Sequence, residues 1–259
     1  MKTKLSIIKI GGEQIDDSMQ LETFLQNFTA LEGPKILVHG GGKLASQLSL
    51  KLGLEPEMVD GRRVTSEADL EVITMVYAGL LNKKISAQLQ SLGCNALGLS
   101  GADANCIISE KRPKSPIDFG SVGDVKVVNT ATIHALLQQN LTPVFCALTH
   151  DGKGQLLNTN ADTIAAELAI GMSALYETQL IYCFNKKGVL ADITDEESVI
   201  SRIDTDQYAE LKSQKAIHEG MLPKMENCFH ALNHNVSNVI IGNTDVIKED
   251  RKLFTALTL

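Results

Sequence analysis

The sequence lacks a long apolar run: none approaches the roughly 20 residues that a membrane-spanning helix requires. The short apolar run at the N-terminus is interrupted by Lys9 and followed by two glycines, too early for the hydrophobic region of a signal peptide. An excess of positive charge is also missing, because the formal net charge is −7. This argues against a nucleic-acid-binding surface. We therefore expect a globular cytoplasmic protein without a membrane or nucleic-acid partner.

Cysteine is scarce and irregularly placed. The five cysteines are odd in number, widely spaced and mostly set among apolar neighbours, and none forms a Cys-x-x-Cys motif. This is typical of reduced core thiols in a cytosolic protein. His230 and His234 have the spacing of two ligands on one helix face but no third candidate nearby. We therefore predict a solvated helix surface there and no metal site.

The chain does contain a regular alternation of strand and helix patterns, which predicts an α/β fold with a largely parallel sheet. Residues 95–129 differ, because short β segments and two prolines predict an antiparallel insert at the sheet edge. Polar residues after Gly171 place a lobe boundary near 174. The remaining predictions are strands at 4–10, 36–38, 142–148, 179–184, 237–242 and 252–257, and helices at 18–30, 66–91, 130–140, 161–171, 205–214 and 221–235.

Three consecutive glycines, Gly40, Gly41 and Gly42, follow the second strand and open a helix. A strand that enters a helix through glycines leaves backbone N–H groups free at the positive end of the helix dipole, where they attract anions. Leu44, Leu48, Leu50 and Leu52 are the expected apolar positions of this helix. The stretch is not a Walker P-loop, because the Gly-x4-Gly-Lys-[Ser/Thr] spacing is absent.

The same stretch also matches the dinucleotide-binding pattern Gly-x-Gly-x-x-Ala, through Gly40, Gly42 and Ala45. Asp60 lies about 20 residues further on, where such a site requires an acid. That acid should end a second apolar strand, and residues 57–60 do not form a convincing one. A dinucleotide-binding oxidoreductase therefore stays open as an alternative of a different class.

The longest helical pattern covers residues 66–91, with Ser66 as the N-cap and Asp69 three residues later. Its apolar face either packs on the sheet or pairs with a second copy of the chain in a dimer. That face consists of Leu70, Ile73, Val76, Tyr77, Leu80 and Leu81.

Two lysines stand where a lysine is unusual. Lys9 ends an apolar strand, the place where open α/β sheets bind ligands, and we favour a ligand contact there. A lysine reaching from a sheet edge to solvent is the alternative. Lys224 follows Pro223 in the first turn of a helix, where it opposes the helix dipole unless an anion is bound. A solvent-facing Lys224 is the alternative.

Three more residues are candidates for ligand binding or catalysis. Arg63 can bind a carboxylate with two hydrogen bonds, although the neighbouring Arg62 could be the binding residue instead. Asn158 and Asp162 stand at a helix start, where both residue types also occur for structural reasons. The chain has no evident Ser/His/Asp or Cys/His catalytic set. Lysines, glycines, an arginine and an aspartate suit phosphoryl transfer, in which the protein positions groups and neutralises charge.

These residues resemble the motifs of the amino acid kinase family, most closely the branch that acts on acylated glutamate. The resemblance covers nearly the whole chain. It implies a three-layer α/β/α sandwich with a largely parallel central sheet. Residues 1–174 would bind the acyl-amino acid and residues 175–259 MgATP. The motifs are Lys9-Ile10-Gly11-Gly12, Val38-His39-Gly40-Gly41-Gly42, Gly61-Arg62-Arg63-Val64-Thr65, Leu157-Asn158-Thr159-Asn160-Ala161-Asp162 and Gly220-Met221-Leu222-Pro223-Lys224.

The implied activity is ATP-dependent phosphorylation of the γ-carboxylate of N-acetyl-L-glutamate in arginine biosynthesis. ATP and Mg²⁺ would bind together, without a dedicated protein metal site. The resemblance implies these roles: Lys9 and Lys224 stabilise the transition state, Asp162 organises them, Gly41 and Gly42 bind the attacking carboxylate, Arg63 binds the α-carboxylate, Asn158 binds the acylamino group, Gly12 contacts the phosphoryl group, and Asn185, Lys186 and Gly188 line the nucleotide.

The chain departs from the family pattern at Asn185, where an aspartate is usual, and at the paired Lys186 and Lys187 that follow. The resemblance implies that arginine-inhibited hexameric members carry an additional N-terminal helix. Because this chain starts at the first strand, we expect a homodimer without arginine inhibition.

Three alternatives within reach of the same motifs remain. N-succinyl-L-glutamate competes with N-acetyl-L-glutamate as the substrate, because the sequence does not define the acyl pocket. Another carboxylate or carbamate kinase is less consistent with Arg63 and Asn158, because carbamate offers neither an α-carboxylate nor an acylamino group. A catalytically silent regulatory protein is less consistent with the presence of both Lys9 and Lys224.

Overall fold

The computed structural model describes residues 2–59, 61–192, 194–213, 221–248 and 253–259. The helices are α1 (Gly12–Asp16), α2 (Ser18–Ala30), α3 (Gly42–Lys51), α4 (Glu67–Thr74), α5 (Asn82–Ser91), α6 (Thr130–Gln138), α7 (Ala161–Met172), α8 (Thr205–Ser213) and α9 (Leu222–Asn233). The strands are β1 (Lys4–Ile10), β2 (Lys35–His39), β3 (Met58–Val59), β4 (Arg62–Arg63), β5 (Ala96–Leu99), β6 (Ile107–Lys111), β7 (Gly123–Val128), β8 (Thr142–Cys146), β9 (Leu148–His150), β10 (Leu156–Asn158), β11 (Glu177–Cys183), β12 (Arg202–Ile203), β13 (Asn238–Gly242) and β14 (Thr255–Leu257).

The chain divides into two compact units, residues 36–164 and residues 1–35 with 165–259. In the second of these, the strand order is β12-β14-β13-β11-β1. β1, β11 and β13 are parallel neighbours, and β14 runs antiparallel to β13. β1 does not alternate between buried and exposed residues, because most of its residues are buried. This is expected for a parallel strand that is covered on both faces.

In the unit of residues 36–164, β2, β8 and β5 are parallel neighbours in that order. β5, the first strand of the predicted insert, is therefore a parallel member of this sheet. The later strands β6 and β7 pair antiparallel, as expected, but they do not join β2, β8 and β5. They form a sheet of their own, in the order β10-β9-β6-β7, in which β6 and β9 are parallel. The sequence pattern missed this because β9 and β10 are only 3 residues long.

The long helical pattern of residues 66–91 is confirmed, with one change of geometry. Ser66 and Asp69 form the predicted capping box at the start of α4. Between α4 and α5 the chain is π-helical over Met75–Leu81. The wider turn changes the direction in which the side chains point, so Leu80, a member of the predicted apolar face, is 55% exposed.

The apolar face predicted for α3 is wrong at two positions. Leu50 and Leu52 are 61% and 56% exposed, whereas Ala45 and Ser49 are buried. The buried face of the helix therefore includes small side chains. All five cysteines are buried and free, which confirms the prediction of core thiols. None of the helices in the described part of the chain has the length and apolar character needed to cross a bilayer.

Candidate active site

The triglycine turn between β2 and α3 depends on Gly41. Its φ of +153° is one that residues with a side chain rarely adopt, and a Cβ there would overlap Leu81 Cδ1 and lie 3.0 Å from Tyr77 Cδ1. A Cβ on Gly40 would meet nothing nearer than 3.9 Å. The absent side chain at Gly41 therefore lets the π-helical segment pack directly against the turn.

His39 holds the turn from its other side. Asn82 Nδ2 donates to the Val144 carbonyl at 2.9 Å and lies 3.0 Å from His39 Nε2. Because the amide nitrogen is a donor, Nε2 must accept, and the ring proton is on Nδ1. Nδ1–H then donates to the Gly40 carbonyl at 2.8 Å. Burial lowers the pKa of His39 to about 4, so the ring is neutral at physiological pH.

A cavity of about 170 Å³, open to solvent, lies beside the turn within residues 36–164. The first amides of α3 have no partner within the helix and stand at its positive end. The lining residues are Gly40, Gly41, Gly42, Met58, Gly61, Arg62, Arg63, Tyr77, Arg112, Val122, Ala147, Asn158, Thr159, Asn160 and Ala161.

Arg63, on β4, is the buried member of the arginine pair, with 7% of its surface exposed, whereas Arg62 is exposed. Arg63 Nη2 donates to the Gly42 carbonyl at 3.2 Å and to Ser46 Oγ at 2.5 Å. Arg63 Nη1 is buried and has no hydrogen-bond partner among the described residues. A guanidinium fixed on one side and unsatisfied on the other is suited to an anionic ligand.

Asn158 lies at the end of β10, and its side chain does not cap the helix that follows. Its Nδ2 donates to Thr65 Oγ1 at 3.0 Å, which orients the amide. The cap is Asn160, whose Oδ1 accepts from the backbone N–H groups of Asp162 at 2.8 Å and Thr163 at 3.2 Å. Asp162 stands in the first turn of α7, as predicted. Asn158 is therefore available for a role other than capping.

In the unit formed by residues 1–35 and 165–259, the two candidate lysines converge on β11. Lys9 is the register partner of Tyr182, and Lys224 Nζ lies 4.7 Å from the centre of the Tyr182 ring. Pro223 stands in the first turn of α9, as the sequence predicted. Lys224 is buried, which removes the solvent-facing alternative. Burial raises the pKa of Cys183 to about 12, while the charges of both lysines act to lower it. Two positive charges thus lie close to one point of the sheet.

The residues predicted to line a nucleotide have definite surroundings. A Cβ on Gly12 would meet nothing within 4 Å, so the backbone there is open to close approach. Lys186 Nζ pairs with Glu196 at 2.7 Å, and Lys187 pairs with Glu197. A Cβ on Gly188 would lie 2.6 Å from Val199 Cγ1, so close packing against Val199 also explains a glycine at this position. Asn185 precedes this turn.

Sequence reasoning missed two cavity residues, Tyr77 and Arg112, and the side chain that holds His39. Tyr77 was counted as part of an apolar helix face, and Asn82, which contacts His39, carried no signal. Arg112 lay in the insert, and nothing indicated that it lines the same cavity. Its Nε donates to Asp124 Oδ1 at 3.1 Å, and the guanidinium lies 5.3 Å from the centre of the Phe119 ring. Within the described residues, no group of three or more His, Cys, Asp or Glu could hold a metal ion.

Comparison with known sequences finds similar proteins over almost the full chain. A sequence profile of the amino acid kinase family matches residues 4–243. The acetylglutamate kinase of Cytophaga hutchinsonii is 53% identical over 247 residues, which cover 95% of this chain and 94% of that protein. The acetylglutamate kinase of Phocaeicola vulgatus is 50% identical over 249 residues, which cover 96% and 97%.

Solved structures share the fold. A crystal structure of a protein from Streptococcus mutans UA159 has a TM-score of 0.81 at 26% identity and covers 98% of both chains. Carbamate kinase from Giardia lamblia, bound to AMP-PNP, has a TM-score of 0.72 at 14% identity, with 98% of both chains covered. The predicted α/β class with a largely parallel sheet is confirmed by these likenesses and by the strand pairings.

Proposed function

Because this chain belongs to the amino acid kinase family, we propose that it is an acetylglutamate kinase. It transfers a phosphoryl group from ATP to the γ-carboxylate of N-acetyl-L-glutamate and forms N-acetyl-γ-glutamyl phosphate, a step of arginine biosynthesis. The relatives of that name support this at 53% and 50% identity over nearly the full chain. The single observation that carries it is Arg63 Nη1, a buried donor without a partner among the described residues, in a cavity beside free helix-start amides.

In this proposal the cavity binds the acylated amino acid. Arg63 holds the α-carboxylate, because its unsatisfied Nη1 requires an acceptor. The amides of Gly41 and Gly42 hold the γ-carboxylate. The Oδ1 atom of Asn158 accepts no hydrogen bond from the described residues. In this proposal it accepts a hydrogen bond from the N–H of the acylamino group. Free glutamate would place a charged ammonium group there instead.

Lys9 and Lys224 stabilise the charge of the phosphoryl group in transit, and Asp162 has the organising role that the resemblance implies. MgATP supplies the phosphoryl group. Gly12, Asn185, Lys186 and Gly188 contact the nucleotide. The open backbone at Gly12 and the positive charges of Lys9 and Lys224, which both act on Cys183, fit phosphate oxygens. The attacking carboxylate is already ionised at neutral pH and needs no general base.

The test is ATP consumption with N-acetylglutamate, N-succinylglutamate, free glutamate and aspartate offered side by side. We expect turnover with an acylated glutamate and at least tenfold lower kcat/KM with the free amino acids, because the acylamino contact is lost. Equal turnover with free glutamate would contradict the proposal.

N-succinyl-L-glutamate is a second candidate substrate, and Arg112 favours it. This guanidinium lines the cavity in addition to Arg63, and Asp124 and Phe119 orient it. A succinyl group carries a carboxylate that an acetyl group lacks, and a second oriented guanidinium suits it. Arg112→Ala should then lower kcat/KM for the succinyl substrate more than for the acetyl substrate. An equal effect on both would remove this candidate.

A dinucleotide-binding oxidoreductase finds little support. Such a site needs a second parallel strand that ends in an acid. The strand before residue 60 is β3, which has 2 residues and pairs antiparallel with β4, and Asp60 itself lies outside the described residues. Thermal stabilisation by MgATP but not by NAD(H) or NADP(H) is the expected result.

We also propose a cytoplasmic homodimer. The exposed apolar side chains Met75 and Leu80, on the π-helical segment, suit burial against a second copy of the chain. Light scattering should give twice the chain mass, and Leu80→Glu should shift it toward the monomer.

A further inference from the structure

Tyr77 presents an unused hydroxyl group to the cavity. The residue is 6% exposed and lies in the π-helical segment Met75–Leu81. Its Oη would be 3.7 Å from a Cβ on Gly42, so the hydroxyl stands at the start of α3. It forms no hydrogen bond within the part of the chain that the structure describes. Tyr77 lines the cavity, so a ligand bound there can supply the acceptor that the hydroxyl lacks.

A second unsatisfied donor lines the same cavity. Arg63 Nη1 is buried without a partner among the described residues, and the charge of Arg63 acts on the Tyr77 phenol. Burial raises the pKa of Tyr77, so the phenol keeps its proton and is a donor at neutral pH. Arg63 Nη1 is costly to leave buried without an acceptor, and a ligand that supplies one in this cavity can also meet the Tyr77 hydroxyl.

We propose that Tyr77 is a substrate-binding residue, whose hydroxyl and Arg63 Nη1 donate hydrogen bonds to one carboxylate of the acylated amino acid. This inference rests on the proposed function of the cavity. The carboxylate is then bound by the neutral Tyr77 hydroxyl in addition to the charged Arg63. The two donors together favour one orientation of the planar carboxylate.

The geometry separates two contributions of the same side chain. The ring packs against Gly41, because a Cβ on Gly41 would lie 3.0 Å from Tyr77 Cδ1. The hydroxyl has no such structural partner. Single π-helical turns inside α-helices often occur at functional sites. Removing the hydroxyl alone should therefore affect binding and leave folding unchanged.

The experiment compares wild type with Tyr77→Phe. We expect the KM of the acylated glutamate to rise about tenfold or more, as for loss of a hydrogen bond to a charged group. The KM of MgATP and the Tm of the ligand-free protein should not change. Tyr208→Phe is the matched control: its hydroxyl likewise has no partner among the described residues, but Tyr208 does not line the cavity.

A double variant tests whether the two donors share one carboxylate. Tyr77→Phe should raise KM by a smaller factor in an Arg63→Lys background than in wild type, because neighbouring contacts are not additive. An unchanged KM in Tyr77→Phe, a lower ligand-free Tm, or fully multiplicative effects would overturn the Tyr77 assignment while leaving the kinase proposal intact. Failure of the wild type to bind or turn over any acylated glutamate would overturn both.

Discussion

Asn82 donates from Nδ2 to Nε2 of His39, across 3.0 Å in the interior of the protein. This contact decides the protonation of the ring, because Nε2 must accept and Nδ1 carries the only proton. With Nδ1–H bound to the Gly40 carbonyl at 2.8 Å, both ring nitrogens are engaged. His39 is therefore a fixed support of the triglycine turn, and it has no free nitrogen with which to act as a base.

The first prediction concerns pH and stability. The folded pKa of His39 is about 4, below the ordinary value of 6.5, so the unfolded chain binds the additional proton between these values. Stability contributed by His39 is complete above pH 6.5 and falls as pH falls toward 4, by about 1.4 kcal/mol per pH unit and about 3 kcal/mol in all. Urea unfolding measured at several pH values between 4.5 and 7.5 should show this slope.

The variant His39→Asn removes the titrating group and keeps an amide donor. Its free energy of unfolding should decline less steeply as pH falls over the same range. The slope should be smaller than that of wild type by about 1.4 kcal/mol per pH unit. His234→Asn is the control, because it removes an exposed histidine of the same charge type. A slope in His39→Asn identical to that of wild type would show that His39 takes up its proton in the folded protein as it does in the unfolded chain.

The second prediction concerns Gly41. Gly41→Ala should lower the free energy of unfolding by about 2–4 kcal/mol, because the new Cβ overlaps Leu81 and the backbone conformation becomes strained. Gly40→Ala is the matched control, since its Cβ would have only an ordinary contact at 3.9 Å. Chemical denaturation of both variants checks this, and equal losses would mean that the turn does not depend on a bare Cα at Gly41.

The third prediction concerns the arginine pair. Arg63→Ala should raise the KM of the acylated glutamate by about tenfold to a hundredfold, as expected for loss of a charged, oriented donor. The exposed Arg62 is its immediate neighbour, and Arg62→Ala should have a much smaller effect. Steady-state kinetics at saturating ATP separates the two. A larger effect at Arg62 would reverse the assignment made from burial.

The fourth prediction concerns the lysines beside Tyr182. Lys9→Ala and Lys224→Ala should each lower kcat by about a hundredfold or more, while the KM of the acylated glutamate changes little. Lys4→Ala is the control, because Lys4 lies on the same strand with an exposed side chain. Near-normal kcat in Lys9→Ala would mean that its role in transition-state stabilisation is misassigned.

The elements of the fold followed from local signals. Residues 4–10 and 18–30 match β1 and α2 at both ends, because an apolar run and an amphipathic period mark them clearly. The capping box of Ser66 was also predictable, since it needs only residues close in sequence. The exposure of Leu50 was not, because burial on α3 depends on which distant elements pack against it.

The candidate site was predictable only in part, for the same physical reason. Lys9 and Arg63 could be selected because a charged side chain in a strand or after a turn is locally unusual. Tyr77 and Asn82 had no such signal, because each looks ordinary in a helix. Their significance comes from the π-helical geometry and from contacts with Gly41 and His39, which lie roughly 40 residues away in the chain.

The most direct test of the central claim is to trap the reaction product. The protein is incubated with MgATP, hydroxylamine and either N-acetylglutamate or N-succinylglutamate, and the mixture is analysed by mass spectrometry. An acyl phosphate at the γ-carboxylate reacts with hydroxylamine, so we predict the γ-hydroxamate of an acylated glutamate, formed only when ATP is present. ATP consumption without any hydroxamate, or hydroxamate from free glutamate at the same rate, would contradict the account.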